Sequence, residues 1–126
     1  MQRERPAPGD TATIEVIVTE DMLVDLGGRR IHPLYATASM VRHVEEAGRM
    51  LVEPHFRDGE DATGFAVSIV HERPARVGER LTVLARATRV DEWECEAEVE
   101  VRGPAGVVGR GTLVQRYIEA GRFDGG

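Results

Sequence analysis

One amphipathic helix pattern, residues 35–56, stands among strand patterns, and this limits the fold more than any other feature of the sequence. Thr37 or Ser39 is expected to cap the helix, because a hydroxyl oxygen there can accept a free N–H of the first turn. Pro33 disfavours helical backbone at His32, so the helix should begin at 37 or later, and Pro54 should end it. At 100° per residue its apolar side chains share one arc: Met40, Val41, Val44, Ala47, Gly48, Leu51 and Val52.

Five strand patterns surround this helix. The first covers residues 11–19, and after a loop predicted at 20–34 and the helix come four more, at 64–73, 80–90, 93–101 and 107–118. In the third of these four, glutamates alternate strictly with Trp93, Cys95, Ala97, Val99 and Val101. Such alternation is typical of an antiparallel sheet with one packed and one solvated face. The order predicts an α+β fold in a single domain over residues 1–126, with flexible tails at 1–10 and 120–126.

Composition excludes several classes of function. The net charge of −6 argues against nucleic-acid binding, which needs a basic face. No run approaches the roughly 20 apolar residues of a membrane span, and the N-terminus lacks the apolar segment of a secretory signal. The single cysteine, Cys95, excludes an internal disulfide and a cysteine-clustered zinc site. The cytoplasm is therefore the expected location.

Thr37, Glu45 and His71 are the candidate catalytic residues. Glu45 lies at the margin of the apolar arc, where a carboxylate must be paired, hydrogen-bonded or reachable by a ligand. Each residue also has a structural interpretation: Glu45 as a partner of Arg42 or Arg49, His71 as a packed histidine, and Thr37 as a helix cap. Eight helical residues separate Thr37 from Glu45, about 12 Å along the axis, so a simple triad needs a bend or a spanning substrate.

Other motifs carry less weight. The histidines lack metal-ligand spacing, and the pair His43 and Glu46 is expected on the solvent face of the helix, so neither a metal nor another cofactor is predicted. Ser39 has no Gly-x-Ser-x-Gly context, and the glycines from Gly103 to Gly111 lie in a hairpin and not between a strand and a helix, which excludes a phosphate loop.

Three motifs occur in order along the chain: Tyr-Ala-Thr-Ala-Ser-Met-Val-x-x-x-Glu-x-Ala at 35–47, Gly64 with His71 seven residues later, and Gly-Arg-Gly-Thr at 109–112 with Phe123. Together they resemble the fluoroacetyl-CoA thioesterase-like family of hotdog-fold proteins. The resemblance implies a five-stranded antiparallel sheet wrapped around one central helix. It also implies a homodimer or tetramer with acyl-CoA sites at the dimer interface.

The resemblance implies a hydrolase, an acyl-CoA thioesterase that releases a free acid and CoA. Thr37 would orient the acyl group and its partners, Glu45 would activate water or attack the carbonyl, and His71 would hold or relay a proton. The backbone N–H of Gly64 would stabilise the oxyanion, with Tyr35 and Phe65 beside the substrate.

Two positions depart from the family pattern. Gln115 stands where an arginine commonly follows the Gly-Thr pair, and Ile31 stands where fluoroacetyl-specific members carry phenylalanine, which favours a general short or medium acyl group. Gln115 also favours a rival interpretation, a non-catalytic module that binds acyl-CoA or another small ligand. A hotdog hydratase is disfavoured because no Asp-x-x-x-x-His pairing precedes the helix, and a purely structural dimer is the remaining alternative.

Overall fold

The computed structural model describes residues 4–124, and residues 1–3 and 125–126 lie outside this range. Its strands are β1 (Thr11–Ile17), β2 (Leu23–Leu26), β3 (Arg29–Tyr35), β4 (Glu60–His71), β5 (Arg80–Val90), β6 (Glu94–Gly103) and β7 (Gly106–Glu119). Five of them form an antiparallel sheet in the order β1-β5-β6-β7-β4, while β2 and β3 form a separate hairpin. The α+β hotdog architecture is confirmed.

The central helix, α1, spans Thr37–Val52 and packs its apolar arc against the sheet. It begins at residue 37 as predicted, and a 3₁₀ turn at Glu53–His55 follows, with Pro54 inside that turn. The predicted cap is wrong, because Ala36 holds the capping position and no side chain bonds the first turn. The hydroxyl of Ser39 instead donates to the carbonyl of Met22 at 2.9 Å.

The core lies between α1 and the inner face of the sheet. Leu81, Val83 and Ala85 alternate along β5 and are fully buried. Two glycines of β7 let neighbouring groups approach closely: a Cβ at Gly109 would overlap the Met40 sulfur, and one at Gly111 would overlap the backbone carbonyl of Ser68. Larger residues at these positions would push the helix or β4 away from the sheet.

The loop predicted at 20–34 is wrong, because most of this segment is the β2–β3 hairpin. Gly27 and Gly28 make its two-residue turn with φ of 60° and 78°, the left-handed backbone that glycine adopts without steric cost. Pro33 is tolerated inside β3 because the hairpin has only two strands, so both strands are at an edge.

Trp93 lies outside β6, although the sequence predicted it as the first residue of that strand. Asp91 Oδ1 accepts hydrogen bonds from the N–H groups of Trp93 and Glu94, so residue 93 belongs to the turn and β6 starts one residue later. As a result the indole is 77% exposed, whereas Cys95 and the other alternate residues of β6 are buried as predicted.

The predicted flexible tails, 1–10 and 120–126, fall partly on residues outside the described range. Within it, the N–H of Gly9 donates to the carbonyl of Ala87 at 2.8 Å. The guanidinium of Arg5 pairs with Glu60 at 2.5 Å and stacks 3.6 Å from the ring centre of Tyr117. The assignment of residues 1–126 to one domain stays a prediction.

Candidate active site

Thr37 and His71 lie in contact, although 34 residues separate them in sequence. Thr37 is the first residue of α1, His71 is the last residue of β4, and Thr37 Oγ1 shares a 2.9 Å hydrogen bond with His71 Nδ1. This bond explains why the threonine hydroxyl does not cap the helix. It also leaves the second ring nitrogen of His71, Nε2, as the atom that can face a ligand.

The environment of His71 favours the neutral imidazole. Burial lowers the pKa of His71 below its usual range, and the nearby backbone of Arg73 offsets only part of this effect. Nε2 is buried and has no hydrogen-bond partner among the described residues. A buried nitrogen in this state is a ready donor or acceptor for a bound substrate or water.

The ring of Tyr35 packs against the ring of His71. Its ring is buried and meets the His71 ring edge-on, with 6.2 Å between the ring centres. The Tyr35 hydroxyl bonds His43 Nδ1 at 2.6 Å, and the Tyr35 and His43 rings stack at 5.7 Å. The prediction that His43 and Glu46 share the solvent face is therefore wrong, because His43 is 6% exposed. The apolar arc of the helix did not predict the burial of His43, because a histidine that has a hydrogen-bond partner can take the place of an apolar residue.

Glu45 and Gly64 form a second contact. The Glu45 carboxylate lies over the α-carbon of Gly64, so close that a Cβ there would stand 2.9 Å from Glu45 Oε2. The two arginines named as its structural partners bond other residues: Arg42 bonds Glu46, and Arg49 bonds Glu53 and Asp61. Across the described residues, Glu45 forms no ion pair. The Glu45 side chain is also exposed, so its carboxylate is available to a ligand.

A small cavity opens beside this carboxylate. Its volume is about 140 Å³, and its walls are largely apolar: Glu45, Gly64, Phe65, Ala66, Val67 and Leu113. Glu45 also borders a shallow depression of about 410 Å³ along the exposed face of α1. The carboxylate thus borders both a small apolar cavity and an open depression of the surface.

A β-bulge at Phe65 shapes the same region. In the pairing of β4 with β7, Gly64 is opposite Gln115 and Ala66 is opposite Val114, which leaves Phe65 as the extra residue. Strict alternation along the sequence predicts that Phe65 shares one face with Val67, Ile69 and His71. This prediction is wrong for Phe65, because the bulge turns it away from the inner face. Its ring instead lies under the guanidinium of Arg116, 3.4 Å from it, on the outer face of the sheet.

Gln115, which replaces the family arginine, is buried at 6% exposure. Its Nε2 donates to the carbonyl of Gly48 at 2.9 Å, which ties β7 to α1. A Cβ at Gly48 would stand 2.9 Å from the same nitrogen, so the two residues fit each other. Gln115 has a structural role in this chain, and its presence gives no reason to expect a missing catalytic group.

The sequence matches a protein family described as FlK: Fluoroacetyl-CoA-specific thioesterase over residues 18–120. The chain belongs to this family. A thioesterase superfamily member from Thermus thermophilus is 33% identical, and the match covers 90% of this chain and 84% of that one with a TM-score of 0.85. The family resemblance and the assignment as a thioester hydrolase are confirmed.

More distant structures share the fold. A variant of the fluoroacetyl-CoA-specific thioesterase FlK is 21% identical, with coverage of 96% and 94% and a TM-score of 0.88. A hot-dog-like protein from Thermanaerovibrio acidaminovorans is 15% identical, with coverage of 90% and 84% and a TM-score of 0.83. No curated protein sequence gives a match.

Two further observations concern residues 4–124. Within this range no group of three or more histidine, cysteine, aspartate or glutamate side chains is arranged to hold a metal ion. No helix in the same range is long and apolar enough to cross a membrane.

Proposed function

We propose that this member of the FlK family hydrolyses short or medium acyl-CoA thioesters to a free acid and CoA. Family membership supports thioesterase chemistry, and substituted variants of FlK have been crystallised with acetyl-CoA and with fluoroacetate and CoA. The single observation that carries the proposal is the Glu45 carboxylate, unpaired among the described residues and held against Gly64 beside an apolar cavity. Cytoplasmic location stays a prediction from the composition.

The size of the cavity supports a short acyl group. A space of about 140 Å³ accommodates only a few carbon atoms, and its walls offer no charged group besides Glu45. Ile31 replaces the phenylalanine of fluoroacetyl-specific members, so the proposal does not restrict the substrate to a fluorinated acid.

The proposal includes a homodimer joined through β4. This strand lies at one edge of the sheet, with nothing beyond it in a single chain. Val67 and Val70 are 44% and 61% exposed there, although natural edge strands usually carry charges or proline to prevent pairing. A second copy pairing antiparallel with β4 would satisfy the free backbone groups and cover both valines.

A β4–β4 pairing would also complete the active site. In one chain, the Thr37–His71 pair lies at the far end of β4 from the Glu45–Gly64 pair, roughly 20 Å away at 3.3 Å per residue. A two-fold axis near the middle of the strand exchanges its ends. Glu45 and Gly64 of one protomer would then face the partner subunit's Thr37 and the partner subunit's His71. The bulge at Phe65 is essential here, because it places Gly64 and His71 on the same face of β4.

The chemistry follows from these positions. With Glu45 as general base, water attacks the thioester carbonyl carbon and Glu45 takes its proton. The negative charge moves to the carbonyl oxygen, where the N–H of Gly64 stabilises it. The carbonyl then re-forms as the C–S bond breaks, and the proton held by Glu45 passes through the partner subunit's His71 to the departing sulfur, so that CoA leaves as a thiol and Glu45 is again a carboxylate. Direct attack by Glu45 is the other route, and transfer of ¹⁸O from labelled water into Glu45 during one turnover identifies it.

The direct test is thiol release from a panel of acyl-CoA thioesters with acyl chains of two to ten carbons. The proposal predicts turnover that is fastest with the shorter chains. A folded protein that hydrolyses none of them contradicts it. If no thioester is hydrolysed but acyl-CoA raises the Tm, the result would support the rival interpretation, a binding module.

A further inference from the structure

Half of the aromatic side chains other than histidine lie exposed in one place. The chain has one tryptophan, two tyrosines and three phenylalanines. Trp93, Phe123 and Phe65 are 77%, 69% and 56% exposed, and all three line one groove of about 570 Å³ on the outer face of the sheet. Large aromatic rings are normally buried, so a shared exposed groove indicates a binding surface.

Two arginines line this outer groove. Arg116 lies over the Phe65 ring, and its nearest carboxylate, on Glu94, is 4.0 Å away and also approaches Arg89 at 3.8 Å. Arg122 forms no ion pair with another described residue and lies beside the Phe123 ring at 5.7 Å. Guanidinium groups bind phosphate through paired hydrogen bonds, and aromatic faces stack on nucleotide bases. The outer groove therefore offers both contacts that an adenine nucleotide needs.

The groove begins at the active-site cavity. Phe65 lines both, because the bulge directs its ring outward while its backbone follows Gly64. From Phe65 the groove crosses β7 and reaches the turn before β6, about 10 Å for strands 4.8 Å apart. A CoA thioester has the same order of parts: acyl group, extended pantetheine arm, phosphates and adenine.

Two hydrogen bonds fix the backbone of Trp93 at the edge of the groove. Its backbone N–H donates to Asp91 Oδ1 at 2.7 Å, and its backbone carbonyl accepts the N–H of Tyr117 at 3.0 Å. The exposed indole therefore starts from a fixed position beside the groove, where a base can stack on it.

We propose that the outer groove binds the adenosine-diphosphate portion of CoA, with the adenine on Trp93 and the phosphates on Arg116 and Arg122. This inference rests on the proposed function and assigns part of its substrate. Other cations near the groove are less suitable, because Arg5 and Arg57 bond the carboxylates of Glu60 and Glu92. Arg73, beyond His71 at the other end of β4, is the competing phosphate contact, but no exposed aromatic ring accompanies it.

Trp93 is the only tryptophan, so tryptophan fluorescence reports on the surroundings of this one side chain. Titration of the full-length protein with adenosine 3′,5′-bisphosphate, which has no thioester, should quench this fluorescence saturably. Arg122→Ala should weaken the binding about tenfold, the scale of one charge-assisted contact. Arg86→Ala is the matched control, because Arg86 is an exposed arginine elsewhere on the sheet, paired with Glu98.

Steady-state kinetics give the second test. Arg122→Ala should raise KM for acetyl-CoA about tenfold with kcat unchanged, and should have no effect on the acetyl thioester of N-acetylcysteamine, which lacks the nucleotide. The inference is overturned if the nucleotide does not quench Trp93, or if Arg73→Ala and not Arg122→Ala raises KM. A blue-shifted, nucleotide-insensitive emission would show that a second copy covers the groove, which also overturns it. The fluorescence titration is informative even if no thioester is hydrolysed.

Discussion

The carboxylate of Glu45 occupies the space that a side chain on Gly64 would need. A Cβ at position 64 would stand 2.9 Å from Glu45 Oε2, closer than two such atoms normally approach. Glycine at 64 therefore has a specific reason: it allows a carboxylate from the helix to reach the edge strand. The same closeness places the carboxylate beside the backbone N–H that we propose as the oxyanion donor.

Gly64→Ala should lower activity while leaving stability nearly unchanged. Glu45 is a flexible side chain on the surface and can move aside, but a displacement of about 1 Å can reduce a reaction rate on the order of 100-fold. Gly111→Ala is the contrasting variant, because its Cβ would meet the backbone carbonyl of Ser68, which cannot move as easily. We expect Gly111→Ala to lower the free energy of unfolding by about 1–3 kcal/mol. Full activity in Gly64→Ala would show that the position of this carboxylate is unimportant.

Thr37→Val should reduce kcat by about 10- to 100-fold, because it removes the hydroxyl that bonds His71 and leaves the imidazole free to rotate. Thr37→Ser keeps the hydroxyl and should retain most of the activity. Ser39→Ala, which loses a bond to the carbonyl of Met22, is the matched control for removing a hydroxyl from the start of α1. If Thr37→Val and Ser39→Ala behave alike, the Thr37–His71 bond has no catalytic role.

Stability should fall as the solution is acidified below about pH 6.5, the pKa of histidine in the unfolded chain. Burial lowers the folded-state pKa of His43 and of His71. The unfolded chain therefore binds protons at these positions first, and the free energy of unfolding increases with pH across this window. Urea unfolding at about pH 7.5, 6.5 and 5.5 measures the slope, which His43→Gln should reduce. A stability that is constant over this range would contradict the prediction.

Gln115→Leu should destabilise the fold by about 1 kcal/mol with little change in kcat. The substitution removes the donor to the Gly48 carbonyl and leaves that buried oxygen with one bond fewer. Urea unfolding and thiol-release kinetics on the same preparation separate the two effects. A large loss of kcat at unchanged stability would instead assign Gln115 to the chemistry.

Two inactive variants should restore activity when mixed, if the site is shared between protomers. A mixed dimer of Glu45→Gln and His71→Ala has one site with both substitutions and one site with neither. Random exchange should therefore give about a quarter of the wild-type activity. Mixing Glu45→Gln with Gly64→Ala is the control, because both changes fall in the same half-site and no intact site forms. Failure of the first mixture to recover, despite exchange, would place the whole site in one chain.

The sequence predicts the regular parts of this fold well. The helix and the five strands of the sheet have strong periodic patterns, and the alternation along β5 and β6 identifies their buried faces. The β2–β3 hairpin was missed because its strands lack clear alternation and the turn glycines also suit a loop. The burial of His43 was not predicted, because a polar residue does not count toward the apolar face of a helix. His43 can be buried because its Nδ1 bonds the hydroxyl of Tyr35, eight residues away in sequence.

The candidate site was predictable only in part. The motifs indicate Thr37, Glu45, Gly64 and His71, but spacing cannot tell which of them meet in space. The bulge at Phe65 decides this, since it changes which residues of β4 face inward. A one-residue bulge depends on how two strands pair, and the sequence of one strand alone does not give that pairing.

The most direct measurement compares thiol release by wild type, Glu45→Gln and Glu46→Gln on a panel of short acyl-CoA thioesters. Glu46 is the matched control, because it is the neighbouring helix carboxylate and bonds Arg42 instead of approaching Gly64. We predict that Glu45→Gln loses about 100-fold or more in kcat, while Glu46→Gln stays close to wild type. Equal activity in all three proteins would contradict the central role of Glu45.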